Sequence, residues 1–510
     1  MLARVKSVAV FGIDAYPIEV EVDVSAGLPT MVVVGLPDAA VKEARDRTKA
    51  AIQNAGYFFP ARRITVNLAP ADVKKEGPLF DLPIALGLLR ATDQLSTAWE
   101  EDYAVVGELA LDGRVRPVNG VLSMAMRLRE EGTKGFVVPA ENAPEAGVVT
   151  GLEVIPAASL GDAVGFFNAT LTIDPYEVDL AQVFEEEHHY EVDFAEVKGQ
   201  DHAKRALSVA AAGGHNALMI GPPGSGKTML ARRLPTILPR LTPEESLQTT
   251  RLYSVAGLLP RRKALMATRP FRNPHHTISN VALVGGGTVP HPGEISLAHF
   301  GVLFLDELPE FQRSTLEALR QPLEDGTVTV SRAAGTVTYP AEIMLVAALN
   351  PCPCGYYTDP YHECHCTPTQ IRNYLKRISG PLLDRIDIHV DVPPVRLKDL
   401  TRLPEGEDSA TIREQVERAR QVQRERFRRA RIFTNAQMTN RHIKRCCALE
   451  PPVQSLLEQA MTELRLSARA YYKILKVART IADLVGAREI DTPHIAEAVQ
   501  YRSLDRSYWA

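Results

Sequence analysis

The sequence predicts an α/β protein organised around a P-loop strand-turn-helix unit, with separate regions before and after it. Three observations carry this prediction. The apolar run Ala217-Leu218-Met219-Ile220 leads into Gly221-Pro222-Pro223-Gly224-Ser225-Gly226-Lys227-Thr228, and the helix-forming stretch Met229 to Leu234 follows. Two further apolar runs, Gly301 to Leu305 and Ile343 to Leu349, end at Asp306-Glu307 and at Asn350. Nearer the start, Ile18 to Val24 alternates apolar and acidic residues with the period of a half-buried strand.

The glycines of Gly221 to Thr228 let backbone N–H groups turn inward around phosphates. In that cradle Lys227 neutralises the β- and γ-phosphates, and the Thr228 hydroxyl ligates Mg²⁺. The expected ligands are therefore a nucleoside triphosphate and Mg²⁺. A buried strand has no reason to end in two carboxylates unless they work. Asp306 is expected to hold Mg²⁺ and Glu307 to polarise the attacking water, because phosphoryl transfer to water depends on positioning and charge stabilisation. Asn350 has two readings, an amide that orients the same water or a cap of the turn that follows.

The 510 residues, 45% hydrophobic and 24% charged, suffice for several cores. Residues 1–170 read as a first α/β domain. Its expected elements are the alternating strand above, a buried strand at Met31 to Val34, a helix from Ala39 to Ala55, a strand at Ile64 to Leu68 and a buried helix from Asp81. Residues 171–193 carry the acid-rich run Asp174 to Asp193, with eight acids and no Lys or Arg, and read as a solvated connector. Residues 194–395 form the nucleotide core, with a β-hairpin expected at Thr327 to Thr338. Residues 396–510 are expected to be helical: Thr411 to Ala430 lacks Gly and Pro, and Ser467 to Gly486 keeps a helical pattern closed by glycine. No segment reaches the apolar length that spans a bilayer, and no secretory signal is recognisable, so a cytoplasmic location without membrane association is expected. A net charge of −4 excludes a generally basic nucleic-acid coat and leaves only local patches for such binding.

Four of the six cysteines sit in two tight pairs, Cys352-Pro353-Cys354 and Cys364-His365-Cys366. In a reducing compartment such pairs favour tetrahedral sulfur ligation of Zn²⁺ over a disulfide. A structural Zn²⁺, free cysteines and a redox pair are the open readings, with His362 or His365 as alternative ligands. Cys446 and Cys447 read as packing residues.

Four long stretches in one order closely resemble the AAA+ ATPases of the magnesium-chelatase-like subgroup that includes the ComM/YifB competence proteins. They are Ala211 to Asn216, Pro292 to His299, Gly380 to Asp387 and Ala478 to Leu484. The resemblance covers essentially the whole chain. It implies a ring, and with it that Arg385 is an arginine finger reaching a neighbour's γ-phosphate and that Arg469 is a sensor in a C-terminal helical lid, acting on its own nucleotide. Either arginine also fits an ordinary surface ion pair. The first domain resembles the proteolytic domain of Lon, a ribosomal protein S5 domain 2-like α/β fold, with Lys75-Glu76-Gly77-Pro78 at the catalytic turn. Leu79 stands where the serine nucleophile belongs, and Val121-Leu122 where the general-base lysine does. A covalent serine mechanism cannot run without them, so a non-proteolytic scaffold or partner-binding module is expected.

The resemblance further implies a homo-oligomer, a hexamer, acting on single-stranded and branched DNA as a branch-migration helicase in transformation and recombination. A chelatase motor subunit or a protein-remodelling chaperone are the alternatives for the same motor. In such a ring the Thr327 to Thr338 hairpin points into the pore, and Arg332 is expected to grip a phosphate backbone. Thr411 to Arg431 carries eight arginines against three glutamates and reads as a solvated or intersubunit face, or else as a DNA contact. His275 and His276 read as structural loop histidines, with a pore or interface position as the alternative.

Overall fold

In the computed structural model, described for residues 1–504 except 72–73, 96–101, 187–189, 261–262, 288–289, 333–334, 358, 395–405 and 431, two sheets of different design stand ahead of a set of helices. The expected boundary between core and helical region, at residues 395 and 396, lies outside the described residues.

The first domain is a seven-stranded mixed sheet. In chain order its strands are β1 (Leu2–Phe11), β2 (Asp14–Ser25), β3 (Thr30–Val34), β4 (Arg63–Ala69), β5 (Tyr103–Val105), β6 (Gly135–Pro139) and β7 (Glu153–Ala157). They lie side by side as β3-β4-β2-β1-β5-β6-β7. The alternation in β2 works as its period demands, since Ile18, Val20, Val22 and Val24 are buried. Helix α1 (Ala39–Asn54) starts where the Asp38 carboxylate accepts from Val41 N at 2.8 Å. Helix α2 (Asp81–Ala91) is buried on almost every side. It presses so closely on β2 that a Cβ at Gly87 would stand 2.7 Å from Val22 Cγ2. Helix α3 (Val121–Glu130) opens with Val121 and Leu122, both fully buried.

Two expectations change here. The run Met31 to Val34 is a strand but not a buried one, because it forms the sheet edge and leaves Val32 and Val34 over 40% exposed. The acidic connector is not wholly solvated either. Its short helix, Leu180–Glu186, lets Val178, Leu180, Val183 and Phe184 pack against the first domain's core. Apolar residues interleaved with the acids override the charge run.

The core sheet has five strands: β8 (Ala217–Ile220), β9 (Phe271–Arg272), β10 (Val302–Leu305), β11 (Met344–Leu349) and β12 (Ile388–Asp391), in the order β9-β10-β11-β8-β12. Each neighbouring pair is parallel, so all five strands end on one side. In such a sheet the loops beyond the strand ends meet at a crevice, which is where ligands collect. Helix α4 (Asp201–Gly213) precedes β8 and helix α5 (Lys227–Ile237) follows it. The expected hairpin pairs Thr327–Arg332 with Gly335–Pro340, ahead of β11.

The first domain is fastened to this core. On helix α6 (Pro243–Val255), Arg251 donates to Ile13 O at 3.0 Å and Ser123 Oγ at 3.3 Å. Ser254 is bonded to the buried Glu145 carboxylate, whose pKa burial pushes up. Ala264 and Leu265 enter the first domain's core cluster. The turn after β1 lies against the hairpin, so that a Cβ at Gly12 would overlap Val337 and one at Gly335 would meet the Phe11 ring.

The C-terminal region is helical, with α7 (Ser409–Arg426), α8 (Asn440–Cys446), α9 (Pro451–Glu463), α10 (Ala468–Leu484) and α11 (Thr492–Gln500). Arg426 at the end of α7 donates to Asp483 Oδ2 on α10 at 2.7 Å, and Asn435 donates to the same oxygen at 2.8 Å. These buried polar bonds hold the helices in register with one another.

Candidate active site

The P-loop leaves β8 at Ile220 and turns beneath the chain after β12, where a Cβ on Gly221 would stand 2.2 Å from Val392 O. Gly224 and Gly226 have φ of +75° and +93°, which only glycine adopts without strain. Lys227 is buried, and its Nζ donates to Gly221 O at 2.7 Å, Pro222 O at 2.8 Å and Asn350 Oδ1 at 3.3 Å. Burial lowers its pKa to about 8, against the opposing pull of Asp306 and Glu307. Thr228 Oγ1 donates to Asp306 Oδ2 at 2.6 Å, so the two groups expected to hold Mg²⁺ already face each other.

Asp306 and Glu307 leave the end of β10, and Asn350 leaves the end of the neighbouring β11. Glu307 is a non-glycine residue at φ +52°, a strained conformation of the kind that collects at working sites. Its N–H donates to Asp306 Oδ1 at 3.0 Å, and its Oε2 lies 3.3 Å from His276 Nδ1. His276 also packs on His275, ring centroids 4.1 Å apart, and edge-on to Phe311. Sequence reasoning set both histidines aside as structural, yet His276 touches the candidate catalytic carboxylate. The strand β9 is too short to be visible in sequence, but it pairs with β10 as Arg272 to Leu303. Four residues beyond that pair are His276 and Glu307, and they meet.

Arg385 and Arg469 stand elsewhere. Strand β12 pairs in parallel with β8, Ala217 opposite Ile388 and Ile220 opposite Asp391. Arg385 therefore precedes both strands while the P-loop follows them, with about 13 Å of sheet between at about 3.3 Å per residue. Asn216 Nδ2 donates to Arg385 O at 2.9 Å, and Leu345 N donates to Asn216 Oδ1 at 2.8 Å. The Arg385 side chain is paired with Glu324 and only 15% exposed, with Nε buried and unpartnered among the described residues. Arg469 donates to Asp384 Oδ2 at 2.5 Å, beside Arg385. This differs from the expectation that it addresses its own nucleotide, because it shares Arg385's end of the sheet. His215 Nδ1 contacts Asp387 Oδ2 at 2.9 Å and its Nε2 contacts Thr480 Oγ1 at 2.8 Å, fastening α10 to that same end.

Comparison with known proteins fits this arrangement. Residues 193–400 match the magnesium chelatase subunit ChlI family, residues 20–142 match the subunit ChlI of Mg-chelatase, and residues 406–502 match its C-terminal family. The chain is 46% identical over 509 residues to the competence protein ComM of Haemophilus influenzae, 99% of this chain and 98% of that one. It is 45% identical over 508 residues to the uncharacterized protein YifB of Escherichia coli, again 99% and 98%. The chain belongs to the magnesium-chelatase-like ComM/YifB family. A magnesium-chelatase 67 kDa subunit of Chlorobaculum parvum is similar over a smaller part, 31% identical over 164 residues, 31% of this chain and 23% of that one.

Membership of the ComM/YifB family makes the chain an AAA+ ATPase, a family whose ligands are ATP and Mg²⁺. Two features of this family member lie beyond the pocket. The sulfurs of Cys352, Cys354, Cys364 and Cys366 all lie within 4.8 Å of one another. Separations of 3.3 Å for Cys352 to Cys354, 3.7 Å for Cys352 to Cys364 and 3.6 Å for Cys354 to Cys364 are near the roughly 3.8 Å edge of a tetrahedral site with Zn–S of about 2.3 Å. The donors therefore fit a Zn²⁺. The loop they close rests on the P-loop, since a Cβ at Gly355 would stand 2.5 Å from Pro223 Cδ. Arg332 is exposed near the end of the hairpin, and among the described residues its side chain donates to the adjacent Ser331 O alone. No helix among the described residues is long and apolar enough to cross a membrane.

Proposed function

We propose that this chain is an ATP-driven ring motor, a homo-hexamer that moves along single-stranded and branched DNA as a branch-migration helicase. The observation that carries the ring is the separation of Lys227, Asp306 and Glu307 from Arg385 and Arg469 across one sheet. A pocket and a pair of arginines at opposite ends of the same strands complete each other between subunits stacked head to tail, an arrangement that makes a ring where the rotation closes.

In this reading Lys227 and the P-loop amides bind the phosphates, and Thr228 and Asp306 hold Mg²⁺. That ion supplies charge neutralisation between the β- and γ-phosphates. Glu307 draws a proton of the attacking water toward itself, with Asn350 fixing the water's orientation. Arg385 leaves Glu324 to stabilise charge on a neighbour's γ-phosphate, with Arg469 beside it, as a rigid guanidinium fork suits. The four cysteines hold a structural Zn²⁺ that stiffens the loop between Asn350 and the finger region. The first domain serves as a Lon-like, non-proteolytic scaffold, and the hairpin carries Arg332 to the DNA.

DNA as the track is supported by a full-length relative named a competence protein. The chelatase reading draws on the ChlI family matches and on a relative matched over 31% of this chain, whereas the competence protein is matched over 99% of it. The deciding experiment is a gel assay of ATP-dependent migration on forked and four-way DNA. Migration by the wild type and none by Lys227→Ala is the expected result. ATP hydrolysis that no DNA stimulates and that moves no junction would overturn the proposal.

A further inference from the structure

Between the end of α7 and helix α8 lies a cleft of about 990 Å³ whose lining includes Arg426, Arg428, Arg429, Arg441 and Arg445. Glu425 is the single acid of that lining and Ala430 the single apolar residue. Arg426 is already engaged, donating to Asp483 and to Asn435 Oδ1 at 3.1 Å. The other four guanidinium groups are exposed and have no ion pair among the described residues. Arg441 and Arg445 stand four residues apart on α8 and so share its face. Opposite them, Arg428 and Arg429 follow directly on the end of α7. The two walls are held apart at a set distance by Phe427, which is buried and packs edge-on to His442 with ring centroids 5.9 Å apart.

Four like charges around one concavity repel one another unless an anion enters it. Guanidinium forks match the paired oxygens of a phosphate. A protein partner anchors through apolar or aromatic side chains in dry pockets, which a cleft with Ala430 as its single apolar lining residue does not offer. Phe433 lies on the segment joining the two walls, is 60% exposed, and presents a ring on which a base can stack.

We propose that this cleft binds the phosphodiester backbone of a single DNA strand, as a second contact separate from the hairpin. The proposal rests on the DNA-motor reading above. It gives the helical region a grip of its own on the strand, without base readout.

The test uses the full-length protein and a fluorescein-labelled oligothymidylate, with binding followed by anisotropy over a series of salt concentrations. The doubly substituted Arg428→Gln, Arg445→Gln protein should bind more weakly, with a log-log salt slope shallower by about 1.4, at about 0.7 for each lost phosphate contact. Arg428→Lys with Arg445→Lys keeps the charge and should retain most of the slope. ATP binding and nucleotide-dependent assembly, measured by mass photometry, should match the wild type in both. An unchanged affinity and slope in the glutamine protein would overturn the cleft and leave the DNA motor standing. Lost assembly in that protein would make the arginines an intersubunit surface and overturn the proposal. A wild type that binds no oligothymidylate would overturn the DNA reading and this site with it.

Discussion

His276 Nδ1 and Glu307 Oε2 stand 3.3 Å apart, one on the loop after the edge strand β9 and the other on the loop after its neighbour β10. The imidazole thus lies against the carboxylate proposed to activate water. The pair is partly exposed, with side-chain exposures of 29% and 53%, and is an ion pair only while the imidazole carries a proton, so it is worth at most about 1 kcal/mol. That is enough to restrain the carboxylate and too little to lock it.

Glu307→Gln should bind ATP as the wild type does and hydrolyse it at least about 100-fold more slowly, since only the transition-state role is lost. His276→Ala should raise basal ATPase by no more than about fivefold, the equivalent of about 1 kcal/mol. Steady-state turnover and equilibrium binding of a fluorescent ATP analogue separate the two effects. Normal turnover in Glu307→Gln would remove it from the mechanism, and a slower His276→Ala would make His276 a supporting group instead of a restraint.

The Lys227 amine, lowered to about 8 by burial, should make ATP affinity depend on pH. Below that value the amine is charged and ready for phosphate. As pH rises through about 8 the empty site loses its charge, binding must take up a proton, and affinity should fall toward tenfold per pH unit. Stability moves the other way, because the unfolded chain holds this proton up to the ordinary lysine range while the folded one gives it up earlier. Stability from this group therefore increases between about pH 8 and 10. Calorimetric titration with ATP in buffers of different ionisation enthalpy would show the proton uptake. Equal affinity at pH 7 and 9.5 would contradict it.

Arg385→Ala and Arg469→Ala should each bind ATP normally and turn it over at least about 100-fold more slowly for the finger. Mixed with Lys227→Ala subunits, either variant should regain part of its activity, because some interfaces then join an intact pocket to intact arginines. Rings confirmed as mixed by mass spectrometry but still inactive would place that arginine's action within its own subunit.

Freshly reduced protein should carry about one zinc per chain, and Cys364→Ser with Cys366→Ser should lose it. Because Gly355 rests on Pro223, metal loss should also weaken ATP binding and lower the melting temperature. Elemental analysis and thermal scans of the same preparations test this. Zinc-free wild-type protein with an unchanged melting profile after chelation would dismiss the metal.

Arg332→Ala should leave ATPase near the wild-type rate and abolish junction migration, since the pocket is untouched while a backbone contact is gone. Both rates measured on one preparation decide it, and unimpaired migration would clear Arg332 of any role.

Much of the site is legible in sequence because its parts are local. The conformation of Gly221 to Thr228 follows from glycines at positive φ and from bonds a few residues long. The placement of Asp306 and Asn350 follows from apolar strands that can only be buried and parallel. Even the departure of Leu79 and Val121-Leu122 from a serine mechanism needs only the residue types. What a residue meets across strands is different in kind. That His276 reaches Glu307 depends on a two-residue edge strand whose register no periodicity reveals. That Arg385 and Arg469 stand together, away from their own P-loop, depends on β12 lying beside β8 and on α10 being fastened through Thr480 and His215. That β3 is an edge depends on strand order alone. By itself, then, the sequence determined the chemistry available at each strand end, because backbone turns and burial are set by near neighbours. Only the tertiary structure decided which of those groups share a site, because sheet order and register are set by contacts between residues far apart in the chain.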